Sequence, residues 1–306
     1  MKGFSRSEQR VGIELASDHL NIVARNIKTQ HVLAAASLAL DEPREKGESL
    51  AHQVAHFVEQ HALKNAECHF VLSSRDYQLL LVERPEVPDT ELRQAIKWKV
   101  KDLIQAPLDS VVLDTFALPK DASKGKDMLY VVVVALDKIK QCIQAINDAH
   151  LKLTVIDIEV LALRNLLALK NMERAVALVR LVENGGDVSI FRDDQLYLSR
   201  RFSLNYSGGL LDELPASDLA LEVQRSFDYF ERQMGQVPPA TLFICGEGVG
   251  PEKISDELKR SISAQVEYLN LENELSLAES SGAELDEGIL QLCLAALGTT
   301  FRSEAA

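Results

Sequence analysis

Short runs of alternating or continuous apolar residues open the chain. Residues 11–15, 20–26 and 31–38 each read as a strand, because β-branched and apolar side chains repeat there at period two. Residues 47–62 change period. Leu50, Val54, Phe57 and Val58 recur at helical spacing and give one apolar face. Strand 68–72 follows. Then, after a long intervening stretch, come strand 129–135, helix 137–149, strand 153–158 and helix 160–170. The second half repeats the order, with strands 176–182, 187–191 and 196–202, helix 217–233, strand 241–245, helix 252–263, strand 266–269 and helix 285–297.

Three strands, helix, strand, helix, strand, helix thus occurs twice. Antiparallel hairpins followed by parallel crossovers imply a mixed sheet covered by helices. Two such units are the layout of the actin, Hsp70 and sugar-kinase superfamily. The fold class expected is therefore α/β: an actin-like, duplicated ribonuclease H-like, two-domain fold. Domain I spans 1–170 and domain II 171–306, with the C-terminal helix, taken as 285–301, placed to pack back on domain I. Domain I carries an inserted subdomain at about 73–126, with strand 77–84, helix 89–104 and strand 111–117. Residues 121–127 read as a polar turn, and 272–284, rich in Ser, Ala and Glu, as a mobile segment.

Composition narrows the class. The 306 residues are 46% hydrophobic and 26% charged, which is ordinary for a globular chain. With 33 basic and 46 acidic residues the net charge is -13, a poor footprint for nucleic acid. The four cysteines, Cys68, Cys142, Cys245 and Cys293, are widely spaced without a C-x-x-C pair and read as buried thiols. The longest apolar stretch, residues 128–136, is far short of the ~20 residues a spanning helix needs. The N-terminus lacks the apolar region of a signal peptide. Gly3-Phe4-Ser5 with Glu8 imitates a prepilin cleavage site, but Arg6, Glu8, Gln9 and Arg10 deny the apolar helix that must follow. A cytoplasmic location is expected.

The inserted segment is the most specific part of the sequence. It runs Val87-Pro88-Asp89-Thr90-Glu91-Leu92-Arg93-Gln94-Ala95-Ile96-Lys97-Trp98-Lys99-Val100, then Ile104-Gln105-Ala106-Pro107-Leu108-Asp109 and Val111-Val112-Leu113-Asp114. This resembles the "EL..AI.WE....IP.PL.EVVLD" run of the PilM family, actin-like proteins of type IV pilus assembly. Asp157-Ile158-Glu159-Val160-Leu161-Ala162-Leu163 is similar to that family's interdomain connection. Gly298-Thr299-Thr300-Phe301-Arg302 is similar to its C-terminal helix end. The divergence resembles more that of MshI, the counterpart in mannose-sensitive haemagglutinin (MSHA) pili, and the GspL cytoplasmic domain of type II secretion is a further relative. The resemblance implies a scaffold peripheral to the inner membrane. Such a scaffold binds the cytoplasmic tail of a PilN-like bitopic protein and links it to the assembly ATPase. Dimer formation stays open.

The resemblance also implies where a nucleotide would sit. The superfamily offers hairpin backbone N–H groups to ATP phosphates and acidic residues to Mg²⁺. The first hairpin, "G-[LI]-D-[LI]-G-S/T" in the family, reads Gly12-Ile13-Glu14-Leu15-Ala16-Ser17 here. Gly12 and Ser17 match, Glu14 is a methylene longer than Asp, and Ala16 replaces a glycine. An ordinary strand and turn explains the same residues. The second hairpin, "ALVDIG" in the family, reads Ala177-Leu178-Val179-Arg180-Leu181-Val182. Arg180 cannot act as a base; a phosphate or Glu14 is its alternative partner. Gly185-Gly186-Asp187 reads most simply as the hairpin turn. The adenosine-side loop reads Cys245-Gly246-Glu247-Gly248, keeping Gly246 and Gly248. These eroded loops imply no hydrolysis, so no enzyme is expected, with ATP and Mg²⁺ left as conditional ligands. The rival from another class is an ATP-binding switch, ATPase or phosphotransferase on the same fold.

Two further constellations stand out. His52, His56 and Glu59 share a helix, but no fourth metal ligand is evident and a solvated face is expected. Arg93, Lys97 and Lys101 recur every four residues beside Trp98, opposite an apolar stripe of Leu92, Ile96, Val100 and Leu103. Asp89 is positioned to cap that helix. The basic stripe reads as a solvated face or as a partner-binding face for an acidic protein or anionic lipid.

Overall fold

The structure, a computed structural model, describes residues 8–16, 19–40, 50–170, 173–207, 209, 213–246, 248–271, 273–277, 285 and 287–303. Two compact units are present. Unit 1 comprises 1–116, 129–166 and 274–306; unit 2 comprises 117–128 and 167–273. The C-terminal helices fall in unit 1, and residues 117–128 and 167–170 in unit 2.

Unit 1 begins with three antiparallel strands, β1 (Gln9–Leu15), β2 (His19–Asn26) and β3 (His31–Ala39). The β2–β3 turn is closed by Asn26, whose Oδ1 accepts from the Lys28 and Thr29 amides at 2.9 and 3.0 Å. Helix α1 (Leu50–Gln60) crosses to β4 (Glu67–Leu72), parallel to β1. Its Val54, Phe57 and Val58 are buried, as the spacing predicts. After the insertion, α3 (Leu136–Asp148) leads to β8 (Lys152–Ile158), parallel to β4, and then to α4 (Glu159–Ala168). The sheet order is β14-β3-β2-β1-β4-β8, where β14 (Ser276–Leu277) is a two-residue parallel addition to β3. That strand falls in the segment read as mobile; residues 272 and 278–284 lie outside the described residues.

The insertion is a three-stranded sheet ordered β5-β7-β6, from β5 (Tyr77–Glu83), β6 (Val111–Ala117) and β7 (Met128–Ala135). Helix α2 (Asp89–Lys99) covers one face. Val82, Ile96, Val100, Leu113, Leu129, Val131 and Val133 form the core between them. The helix ends five residues earlier than the periodicity predicts. The chain beyond Lys99 goes on as a turn, with the Leu103 amide donating to the Val100 carbonyl at 2.9 Å. The helical register is lost there, so Leu103 leaves the apolar stripe and is 56% exposed. Asp89 makes no cap bond and instead ion-pairs with Arg84.

Unit 2 repeats the core order. β9 (Val176–Val182), β10 (Gly185–Arg192) and β11 (Gln195–Ser203) are antiparallel; β12 (Thr241–Gly246) and β13 (Gln265–Tyr268) add in parallel, giving β11-β10-β9-β12-β13. Asp193 and Asp194 both take positive φ (50° and 57°), as a type I′ hairpin turn requires. Helix α5 (Ala216–Arg232) buries Leu219, Val223, Phe227 and Phe230. The predicted helix 252–263 is split. A 3₁₀ turn occupies Pro251–Lys253, and α6 (Asp256–Ser261) restarts at Ser255, whose Oγ accepts from the Leu258 amide at 3.2 Å.

The C-terminal helix is likewise two pieces, α7 (Glu287–Leu292) and α8 (Leu294–Thr300), broken at Cys293, whose Sγ donates to the Ala36 carbonyl at 3.4 Å. Helix α8 lies against β1, β2 and β4. It is buried from Leu294 through Thr300.

Candidate functional site

The first hairpin is built around a close approach. A Cβ placed on Gly12 would meet the Ala296 carbonyl oxygen of α8 at 1.9 Å and Thr300 Cγ2 at 2.9 Å. Glycine at position 12 is therefore demanded by helix packing within unit 1. On the same face of β1, Glu14 is fully buried and accepts from Asn21 Nδ2 at 3.1 Å, and Asn21 Oδ1 accepts from Ser37 Oγ at 2.7 Å. The turn is closed by the Ala16 amide donating to the His19 carbonyl at 2.9 Å. Ser17 lies outside the described residues.

The second hairpin turns earlier than the glycines suggest. Val182 pairs with Gly185, so Glu183 and Asn184 form the two-residue turn, and Asn184 takes φ 63°. The reading of Gly185-Gly186-Asp187 as the turn is corrected: all three are in β10. Asparagine supplies the left-handed residue, and the glycines serve contacts within the strand ladder. A Cβ on Gly185 would lie 2.4 Å from the Phe202 carbonyl oxygen, and one on Gly186 2.4 Å from that of Arg180. Arg180 stands directly across from Asp187, which stands across from Arg201 and ion-pairs with it at 3.5 Å. Cation, carboxylate and cation thus form a row over three strands, where directly opposed side chains interact. Sequence reading missed Asp187 as the acidic member of this hairpin, having assigned it to the turn.

Gly246 ends β12 at φ 131°, and a Cβ there would strike the Leu181 oxygen at 2.0 Å. Gly248 takes φ 62°. Its carbonyl accepts from Tyr206 Oη at 3.0 Å, and Lys253 Nζ ties Tyr206 Oη (3.3 Å) to the Gly209 carbonyl (2.7 Å). Glu247 lies outside the described residues. Gly12 and Glu14 thus belong to unit 1, and Arg180, Gly246 and Gly248 to unit 2.

A buried polar network that sequence reading missed surrounds the end of α8. Arg10 Nη1 donates to the Thr300 and Arg302 carbonyls at 3.0 and 2.8 Å, and Arg25 Nη1 to Thr300 at 2.9 Å. His69 Nδ1 donates to the Thr299 carbonyl at 2.8 Å. Thr299 and Thr300 end α8, where carbonyls lack an amide of the next helical turn, and cations suit that negative end. Glu67 balances the cluster, meeting Arg10 at 3.4 Å, His69 Nε2 at 3.1 Å and Thr154 Oγ1 at 3.1 Å. Arg25 also stacks 3.6 Å above the Phe301 ring. Asp157 receives Arg302 Nη1 at 2.9 Å. Two quoted motifs, Asp157-Ile158-Glu159 and Gly298-Thr299-Thr300-Phe301-Arg302, are therefore brought together. Gly298 serves the same contact, since a Cβ on it would lie 2.2 Å from the Ala162 carbonyl of α4. The available signal was Arg10 and Arg25 within otherwise apolar strands.

Burial, and then Arg10, hold the His69 pKa below its ordinary value, against the pull of Thr299 and Glu67. Burial alone would raise Glu67, but Arg10, His69 and Thr154 together bring it below the usual range. Arg25 is lowered to about 10 by burial and by Arg10.

On α2, Arg93, Trp98 and Lys99 are exposed and Lys97 half-buried, and Lys101 is exposed in the turn just beyond. Trp98 is 59% exposed, with Lys101 Nζ 5.5 Å from its ring centroid. His52, His56 and Glu59 are exposed on α1. Among the described residues, no cluster of three His, Cys, Asp or Glu side chains is arranged to hold a metal ion. No described helix is long and apolar enough to cross a membrane.

Both units carry one core, three antiparallel strands followed by two parallel ones, in the order 3-2-1-4-5. This duplicated ribonuclease H-like arrangement defines an actin-like fold. The comparisons with known proteins agree. The family described as type IV pilus assembly protein PilM matches residues 77–214. A chain of the PilM-PilN type IV pilus biogenesis complex superposes with a TM-score of 0.75 at 19% identity, covering 96% of this chain and 98% of that one. The cytoplasmic domain of EpsL, an inner-membrane component of the type II secretion system of Vibrio cholerae, gives 0.54 at 15% identity, covering 96% of each chain. A Bacteroides thetaiotaomicron protein of actin-like ATPase fold gives 0.55 at 12% identity, covering 86% of this chain and 93% of that one. At such identities the likenesses define the fold. No curated protein matches in sequence.

Proposed function

We propose that this chain is a PilM-type scaffold of type IV pilus assembly, of the MSHA kind. It binds the cytoplasmic tail of a PilN-like bitopic inner-membrane protein and links it to the assembly ATPase. The observation that carries this reading is the PilM family match over 77–214, which takes in most of the inserted subdomain, on a chain whose fold follows a PilM structure over 96% of its length. By this reading the protein works in the cytoplasm, against the inner membrane.

In the same proposal the nucleotide site is eroded and the protein does not hydrolyse ATP. Three features support it. Arg180 occupies the place of the family's metal-binding Asp. Asp187, the acid nearest to it in the hairpin, is engaged by Arg201. Glu14 is buried against Asn21. Any bound nucleotide would then act by shifting populations, not by turnover.

Calorimetric titration with synthetic N-terminal tails of pilus inner-membrane proteins, and separately with ATP–Mg²⁺, tests both parts. A saturable peptide isotherm without phosphate release is expected. Phosphate release abolished by Asp187→Asn would replace the scaffold with an enzyme.

A further inference from the structure

The outer face of α2 is not used by the fold. Ile96 and Val100 point into the subdomain core. At 100° per residue, Trp98 lies about 200° from Ile96, on the far side of the helix. It is the only tryptophan of the chain. Lys97 and Lys99 flank it on the helix, Lys101 Nζ lies 5.5 Å from its ring centroid, and Arg93 is about 140° further round; none of the four forms an ion pair with a described residue. Leu103 lies exposed just beyond.

Residues 93–103 hold four cations against one carboxylate, Asp102, in a chain of net charge -13. Of the acids at the helix start, Asp89 is engaged by Arg84, and Glu91 remains exposed. The segment is thus a local reversal of the protein's charge, with an exposed indole among its lysines. Cations that ring an amphipathic aromatic match a bilayer interface. There the ring rests at headgroup depth while lysines reach lipid phosphates.

We propose that this face docks the protein onto an anionic lipid surface, with Trp98 and Leu103 entering the headgroup region and Lys97, Lys99 and Lys101 contacting phosphates. An anionic bilayer is favoured over an acidic protein because an exposed indole and the exposed Leu103 accompany the lysines, and the headgroup region takes apolar side chains and cations together. The inference is independent of the partner reading, since no peptide takes part.

The test uses the full chain and vesicles of phosphatidylglycerol and phosphatidylcholine in equal parts, at about 0.1 M salt. Trp98 reports on this face alone. The expected result is co-sedimentation with these vesicles, a blue-shifted emission quenched by brominated lipid, and loss of both in about 1 M salt or on pure phosphatidylcholine. Each cation near such a surface contributes about fivefold, so Lys97→Ala/Lys101→Ala should weaken binding by about 25-fold. Lys64→Ala/Lys140→Ala, the same charge change elsewhere in unit 1, should leave it unchanged. Equal binding to neutral vesicles, equal loss in both double variants, or no sedimentation would overturn the proposal. So would an emission shift produced by a soluble acidic polypeptide but not by vesicles, which would make the face a protein-docking site.

Discussion

Gly12→Ala separates two explanations of the first hairpin. If glycine is there to admit a phosphate, alanine leaves stability unchanged and alters only nucleotide affinity. If it is there to admit α8, alanine strikes the Ala296 carbonyl oxygen at 1.9 Å, where ordinary contact begins at 3.4 Å. The helix must then withdraw by about 1.5 Å. Its C-terminal carbonyls leave Arg10, Arg25 and His69, whose bonds to Thr299, Thr300 and Arg302 span 2.8–3.0 Å. Overpacking alone costs about 1–3 kcal/mol, and each lost bond to a charged group adds about 1.5–3 kcal/mol. A total of at least 3 kcal/mol is about 6–12 °C in Tm for a unit of this size. Thermal unfolding followed by circular dichroism, with Trp98 emission reporting on unit 1, measures it. A variant that melts within about 2 °C of the parent would refute the packing argument. Gly125→Ala, at a position with nothing within 4 Å but a φ of +89°, should cost far less.

The remaining predictions concern titration and reactivity. His69 is held below its ordinary pKa, so below about pH 6.5 the unfolded chain takes up a proton that the native state resists. Stability should therefore decline as pH falls from 7 towards 5, and urea midpoints of His69→Gln should flatten that slope; an unchanged slope sinks the assignment. Glu67 is also lowered and adds a second loss only below about pH 4.5. Tyr197 is pushed up to about 12, first by burial and then by its bond to Asp121 at 3.0 Å. Asp121→Asn should move its phenol titration, read by ultraviolet absorbance, back towards 10, and no movement would count against the contact. All four cysteines are buried, with Cys142 raised to about 11 and Cys68 and Cys293 higher still. A thiol reagent at pH 8 should find almost none in the native protein and four in urea. Rapid stoichiometric labelling without denaturant would contradict that burial.

Runs of apolar residues were enough to place nearly every strand, because a strand buried on both faces must be apolar along its length. Helix ends were less legible. Lys101 and Leu103 continue the periodicity of α2, yet the chain leaves the helix at Lys99, since nothing in a period records where packing stops. The C-terminal helix breaks at Cys293, where the thiol meets the Ala36 carbonyl of β3, a contact equally absent from local sequence. Gly185 and Gly186 misled in the other direction. They look like a turn, but Asn184 supplies the positive φ and the glycines answer to carbonyls of neighbouring strands.

The sequence by itself determined the duplicated order of strands and helices and the inserted subdomain, because these depend on periodicity and residue type. Only the tertiary structure decided what those residues do. Gly12 touches a helix 284 positions away in the chain, next to Ala296. Arg10 and Arg25 close the end of that helix. Asp187 lies between two arginines. Each of these facts is a distance between segments far apart in sequence or on separate strands. Such distances arise when sheets and helices pack, and no local pattern encodes them.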